Sequence, residues 1–257
     1  MREWIEIYFF RWQENKMSCT FSTGYNERLF STSRMRSLYH MSRYRWLANE
    51  VRKTGIGSPR IIELGCFDAK TISFLHVHPS YYLGLDANWE GGLDQGKRLW
   101  ASDPTVELRE CRSPDDIPDR GTFDIGICME TLEHMSYEMA EAYIGKLSTI
   151  ISGKLLIAAP HEYGPVFLAK HAIKSLMGWR DAQSYSPREY LLLSLGLTSR
   201  VPHCDHKGYD DRRTAETAAK FFALEKFAGI FPPFLPRSLC LSSGIVAKAS
   251  TGCNSNK

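Results

Sequence analysis

The sequence predicts an α/β fold: a doubly wound, seven-stranded, mostly parallel sheet with an antiparallel last strand, preceded by an N-terminal helical extension. Three observations predict it. From Arg60 onward short apolar runs alternate with amphipathic stretches, the pattern of parallel strands covered on both faces by helices. The run RIIELGCFDAKT, Arg60 to Thr71, reads as a buried strand entering a sharp glycine turn and then a helix. Finally, 257 residues that are 43% hydrophobic can build one large α/β core.

Taken in order, residues 1–55 form the extension and 56–257 the main domain. SRMRSLYHMSRYRWLANEVRK predicts a helix from about Ser33, with Leu38, Met41, Tyr44, Ala48 and Val51 on one apolar face. Its arginines form either a solvated back or a cap facing an anionic acceptor or membrane surface. TGIGSP breaks the helix. RIIEL is the first strand and AKTISFLHV a helix; YYLGLD is the second strand and EGGLDQGKRLWAS a helix. TVELREC and FDIGIC are strands three and four, METLEHMSYEMAEAYIGKLSTI a helix, and KLLIAAP strand five. SPREYLLLSLGL opens on Ser-Pro and stops at a glycine, as helices do. TSRVPHC is a candidate sixth strand, DDRRTAETAAKFFALEKFAGI a helix, and SLCLSSGIVAKAS the last strand.

The composition excludes several classes. A net charge of +3 is too mild to imply nucleic-acid binding. The seven cysteines are odd in number and lack CxxC or zinc-ligand spacing, which fits a reducing compartment. The opening MREWIEIYFFRW is broken by charges and is not read as a signal peptide. No apolar run reaches the roughly 18 residues that span a bilayer. The expected location is cytoplasmic, with peripheral membrane contact.

In doubly wound sheets ligands sit beyond the carboxyl ends of the strands. The first strand ends at Glu63 and Gly65, where a glycine lets the backbone turn tightly and approach a ligand. The second ends at Asp86, an acid about 20 residues on, placed to accept hydrogen bonds from a ribose diol. Nicotinamide and S-adenosylmethionine sites share that acid. A diphosphate, however, needs a glycine-rich turn whose amides can reach it. Here Cys66, Phe67, Asp68 and Ala69 follow Gly65, so a cationic ligand without phosphates fits better.

With these segments in this order, the chain resembles a class I S-adenosylmethionine-dependent methyltransferase, of Rossmann-like fold. IIELGCFDAKT resembles the first motif and YYLGLDANW the ribose-binding acidic motif. FDIGICMETLEHM resembles the fourth-strand motif of ubiquinone-pathway and related small-molecule methyltransferases, and GKLLIAAPHEYGP the strand-five segment. The resemblance covers Ser58 to Gly196; the common motif's second and third glycines are here Phe67 and Ala69. It implies S-adenosylmethionine as cofactor. Gly65, with Cys66 and Phe67 in the same turn, would line the methionine part and Glu63 would hold its amine. Asp86 would grip the ribose, Ala87 lie against the adenine and Ser113 meet its edge. Met129 and Glu130 would sit beneath the methionine moiety. A purely structural turn is the alternative for Glu63 and Gly65.

Methyl transfer to a hydroxyl is an in-line displacement helped by a general base. Three histidines at strand ends are candidates for the catalytic base: His161, His206 and His134. Each could equally be structural. The run Glu130-x-x-Glu133-His134 resembles one with which small-RNA 3′-end methyltransferases hold a divalent ion. The further histidine is left open between His161 and His206, and the expectation is that no metal is needed. HCDH, His203 to His206, reads as solvated loop.

The expected acceptor is a hydroxyl of a sugar, glycan or other small molecule, with no specific nucleic acid. NERLFSTSRMRSLYHMSRYRWL, DANWEGGLD and DHKGYD resemble methyltransferases that accompany bacterial surface-polysaccharide enzymes. Tyr25, Arg28, Tyr39, Arg43 and Trp46 are the candidate acceptor contacts. The rival readings are a metal-dependent RNA 2′-O-methyltransferase, a nicotinamide oxidoreductase and a non-catalytic S-adenosylmethionine-binding scaffold.

Overall fold

The computed structural model describes residues 34–176 and 185–250. The chain divides into two compact units, 1–40 and 41–257. The helix α1, Arg34–Lys53, begins in the first and its larger part belongs to the second. The further elements are β1 (Arg60–Leu64), β2 (Tyr81–Asp86), α2 (Gly92–Leu99), β3 (Val106–Glu110) and β4 (Phe123–Met129). They continue with α3 (Tyr137–Ser148), β5 (Ile151–Pro160), α4 (Gly164–Leu176), α5 (Pro187–Ser194), α6 (Asp211–Phe221), β6 (Phe222–Phe231) and β7 (Ser242–Ala249).

The seven strands form one sheet in the order β3-β2-β1-β4-β5-β7-β6. The first five are parallel; β7 runs antiparallel to both β5 and β6. Chain order reverses between β1 and β4, the switch point where such sheets open a crevice at their carboxyl ends.

Alternate side chains of each strand point to opposite faces, and both faces are apolar because both are covered. On one face Ile62, Leu83, Leu155 and Ile245 pack with Tyr143, Ile144 and Leu147 of α3 and Ala215 and Ala218 of α6. On the other, Ile61, Tyr82, Ile125, Leu156 and Val246 pack with Leu47 and Val51 of α1. Each such fully buried aliphatic side chain contributes on the order of 2 kcal/mol by leaving water. Trp46 lies flat enough on Gly244 that a Cβ there would stand 2.4 Å from its ring, so this candidate acceptor contact is part of the packing.

Helix α5 starts and stops where its residues demand. Ser186 and Glu189 close a capping box around Pro187, and Gly196 turns the chain at φ 73°. Among the described residues no helix is long and apolar enough to cross a membrane.

Four elements differ from expectation. AKTISFLHV holds one 3-10 turn, Lys70–Phe74, because Phe67 and Ala69 enter it with φ of 50° and 57°, outside helical values. TSRVPHC is not a strand: it gives a 3-10 turn at Thr198–Arg200 and leads into a tight turn in which Cys204 and Lys207 exchange both backbone hydrogen bonds. The sixth strand is instead β6, in what reads as the tail of a helix. Pairing with β7 from Phe222↔Ala249 onward ends α6 and overrides the local pattern. Helix α4 had not been assigned from the sequence.

Candidate active site

The turn after β1 is rigid and closed on itself. Gly65 stands at φ 74°, and a Cβ there would lie 2.0 Å from Thr131 Oγ1, so the position admits glycine alone. Thr131 in turn donates to the carbonyls of Leu64 and Met129, tying the ends of β1 and β4 together. The amides of Gly65 and Cys66 both donate to the Leu85 carbonyl, at 2.7 and 3.1 Å. The Phe67 amide donates to Asp86 Oδ2 at 2.9 Å, that of Ala69 to the Cys66 carbonyl and that of Lys70 to Asp68 Oδ1.

Glu63 is buried beneath this turn. Thr71 donates to one of its oxygens at 2.8 Å and Tyr82 to the other. Burial pushes its pKa up to about 8, with the hydroxyl donors opposing. Both oxygens accept from protein hydroxyls and the residue is 2% exposed, so Glu63 lies beneath the turn and not at an open surface where it would hold the cofactor's amine directly. Cys66 is likewise buried, its sulfur against Gly84, and burial raises its thiol pKa well above the usual value. The Phe67 ring instead lies over Gly92, where a Cβ would meet it at 2.3 Å.

Asp86 closes β2 with its carboxylate held from both sides, by the Phe67 amide on Oδ2 and the Asn88 amide on Oδ1 at 2.7 Å. Each oxygen keeps a lone pair for a ligand hydroxyl. Ala87 follows, half-buried. The Ser113 hydroxyl accepts from the Asp115 amide as a helix cap, and its own amide donates to Asp116. Its hydroxyl is therefore occupied in a turn.

At the end of β4, Met129 is half-buried and Glu130 turns the chain at φ 51°. One Glu130 oxygen pairs with Arg43, and the other is buried with no hydrogen-bond partner. Arg43 is therefore buried against an acid, not facing an acceptor. A 3-10 turn, Leu132–His134, carries Glu133 inward and His134 outward. Glu133 is fully buried and neither carboxylate oxygen has a hydrogen-bond partner. Burial, reinforced by Glu130, drives its pKa well above the usual carboxylate range.

The tight turn at Cys204–Lys207, with Asp205 at φ 55°, brings a second set of groups against this one. His134 Nδ1 meets Asp205, and the rings of His134 and His206 cross edge to face at 4.9 Å. His206 Nδ1 lies 3.5 Å from Glu162, itself paired with Lys170. Burial opposes the Glu162 charge, but Lys170 and His206 outweigh it and hold its pKa at about 2. Burial also opposes a charged His206, and Glu162, Glu130 and Asp205 outweigh it to raise the imidazole pKa.

The structure therefore parts the three candidate histidines. His134 and His206 face each other; His161, 1% exposed, donates into a different cluster. Its Nδ1 meets Asp211 at 3.2 Å, and Asp211 also takes Tyr163, Arg237 and Ser243. That buried network makes His161 a structural group. Tyr25 and Arg28 lie outside the described residues, and Tyr39 packs edge-on against His40. Glu162 and Thr131 are not legible as site residues: nothing in their local sequence separates them from ordinary loop residues, although Glu162 adjoins His161. Two hollows of about 200 and 290 Å³ lie against α3–α6 and α2–β3 and hold none of these residues.

No family model matches the sequence, and neither does any curated protein. Solved structures do. The chain is similar to magnesium protoporphyrin IX methyltransferase of Synechocystis with bound S-adenosylhomocysteine, at 13% identity and TM-score 0.55, with 94% of each chain covered. It is similar to a Pyrococcus horikoshii protein at 13% identity and TM-score 0.57, over 89% of this chain and all, 100%, of that one. An S-adenosylmethionine-dependent methyltransferase of Clostridium acetobutylicum gives 9% identity and TM-score 0.57, over 82% and 92%. The strand order, the antiparallel β7 and these similarities together give this chain the Rossmann-like fold of the class I S-adenosylmethionine-dependent methyltransferases.

Proposed function

We propose that the chain is an S-adenosylmethionine-dependent methyltransferase that transfers the methyl group to a hydroxyl of a sugar, glycan or other small molecule. The turn after β1 carries the reading. Five of its amides, at residues 65, 66, 67, 69 and 70, are donated inside the protein, so the turn offers no cradle for a diphosphate. Beside it the Asp86 carboxylate is held by two amides and Glu130 keeps one oxygen without a partner, acids that suit a ligand bearing an ammonium and a sulfonium. The fold's known members add support through what their names say they bind.

In this reading Asp86 holds the ribose diol, Gly65 and Phe67 line the methionine part, and Met129 and Glu130 form its floor. The protein's main task is to align acceptor oxygen, methyl carbon and sulfur. His134 and His206 are the histidines placed to take up or relay a proton at this end of the sheet. A membrane-peripheral acceptor would meet the basic, exposed end of α1 at Arg52 and Lys53.

The test uses S-adenosylmethionine labelled at the methyl group, incubated with the full chain and sugar or glycolipid acceptors. The expected product carries label in a base-stable methyl ether. Label released by mild base indicates an ester and overturns the hydroxyl acceptor. Tight cofactor binding with no label transferred to any acceptor favours the scaffold.

A further inference from the structure

We propose that the outward faces of α4 and α5 form a docking surface for a membrane bearing anionic lipids. The surface itself does not depend on the methyltransferase reading; its use in the reaction rests on that reading.

The two helices reverse the usual polarity of a surface helix, which turns its apolar stripe inward and its charges to water. On α4, Pro165, Leu168, Ala169, Ala172 and Ile173 are exposed. On α5 and the turn after it, Leu191, Leu195 and Leu197 are exposed. Ile173, Leu191 and Leu195 are 57%, 59% and 64% exposed, so more than half of each meets water. Arg188, Leu191 and Leu195 follow one another at helical spacing, along one side of α5.

The polar groups point the other way. Lys170 pairs with buried Glu162. His171 lies on the Phe167 ring at 4.2 Å and meets Tyr185 and Tyr190 edge-on. Glu189 pairs with Lys207 at 2.8 Å and accepts from the Ser186 amide. Between the helices Phe167, Leu193 and Val201 form a small core of their own. The inner sides are therefore filled, and the outer aliphatic groups are surplus to the packing. Single apolar side chains on a surface need no account; a group of them on two helices that pack on one another marks a contact.

The charges indicate which partner. The helices and the turn after α5 carry Lys170, Lys174, Arg188 and Arg200 against one acid, Glu189, and that acid is taken by Lys207. Arg188 and Arg200 are exposed beside the leucines. Neither helix is long and apolar enough to cross a bilayer. Aliphatic side chains fringed by arginine are the pattern of elements that lie in the interface of anionic membranes. A second copy of the chain fits less well. It would bring the same cations face to face, and among the described residues of these two helices no exposed acid meets them.

Helix α4 leaves the carboxyl end of β5, and Lys207, which holds Glu189, follows His206. The surface thus adjoins the end of the sheet where the proposed transfer takes place. A membrane held there would present a lipid-linked acceptor to it. The basic end of α1 at Arg52 and Lys53 offers charge without such a stripe of leucines; it would attract an acceptor without anchoring the chain.

The test uses the full chain without methyl donor, mixed with vesicles of phosphatidylcholine, alone or with phosphatidylglycerol. Bound protein is read by flotation. The chain should float with the phosphatidylglycerol vesicles, less so as salt is raised. Leu191→Gln combined with Leu195→Gln should weaken binding by about tenfold or more. Arg188→Gln combined with Arg200→Gln should weaken it by about 10–30-fold. Leu99→Gln, an exposed leucine on α2, should change nothing. The substituted side chains are exposed, and circular dichroism checks the fold; if one pair fails to fold, the other still reports. No flotation, flotation undiminished in the folded variants, or flotation lost only on replacing Arg52 and Lys53 overturns the surface. Self-association without lipid that the leucine variants abolish also overturns it, in favour of a second copy. Because no methyl donor is present, each of these failures is separate from failure of the methyltransferase reading.

Discussion

Glu63 and Glu133 are both buried glutamates at the carboxyl side of a central strand, and their surroundings differ in kind. Glu63 has a hydroxyl donor on each oxygen, from Thr71 and Tyr82. Glu133 has none on either, and two imidazoles stand beside it. The difference extends to what surrounds them. After β1 the amides, the Asp86 carboxylate and Thr131 are joined to one another, which leaves a stiff cradle with defined edges. After β4 both oxygens of Glu133 and one of Glu130 are buried without a hydrogen-bond partner, and one atom each of Glu133, His134 and His206 lies within 4.8 Å of the others. A satisfied buried acid holds a loop in shape, whereas an unsatisfied one marks where something from outside belongs.

Gly65→Ala should break the first region most severely. It forces a left-handed φ on alanine and drives a Cβ into Thr131, which should cost about 3–5 kcal/mol in chemical denaturation. An unchanged midpoint would show that the two strand ends are not wedged together.

Glu63→Gln isolates the share of the pH dependence that belongs to the first of the two acids. A carboxyl whose folded pKa is about 8 and whose unfolded pKa is ordinary binds more protons when folded. Its contribution is fully present below about pH 4.5 and is lost as pH rises through 8. Wild-type stability should therefore fall by on the order of 2–3 kcal/mol between pH 5 and 7 from this group. The variant, which mimics the neutral acid, should lose that share of the slope and keep the share of the same sign that Glu133 contributes. A slope as steep as the wild type's would assign it elsewhere.

Ser113→Ala gives the smallest effect. The hydroxyl caps a 3-10 turn, so about 0.5–1 kcal/mol of stability should be lost with little change in cofactor affinity. A tenfold loss of S-adenosylhomocysteine affinity without loss of stability would return Ser113 to the adenine edge.

The sequence shows the first region well and the second poorly, for a physical reason. Strands β1 to β5 are short apolar runs because both faces are buried, and Gly65 and Asp86 sit at fixed offsets from them. The partners of Glu133 depend on tertiary structure. His206 arrives through a turn set by Asp205 at positive φ, between Pro202 and Gly208, in a stretch that reads as extended. Glu162 belongs to a different segment again. The misplaced β6 has the same origin: Phe221, Phe222, Leu224 and Phe227 fit a helical spacing, and edge pairing with β7 decides. In the sequence His161 follows a strand just as His134 does, and only the fold brings Asp211, 50 residues on, to its ring.

Calorimetric titration of the full chain with S-adenosylhomocysteine and, separately, with NADH tests the cradle's identity most directly. The account expects one S-adenosylhomocysteine per chain, weakened at least tenfold by Asp86→Ala, and no saturable heat from NADH. Saturable NADH binding with no response to S-adenosylhomocysteine would contradict it.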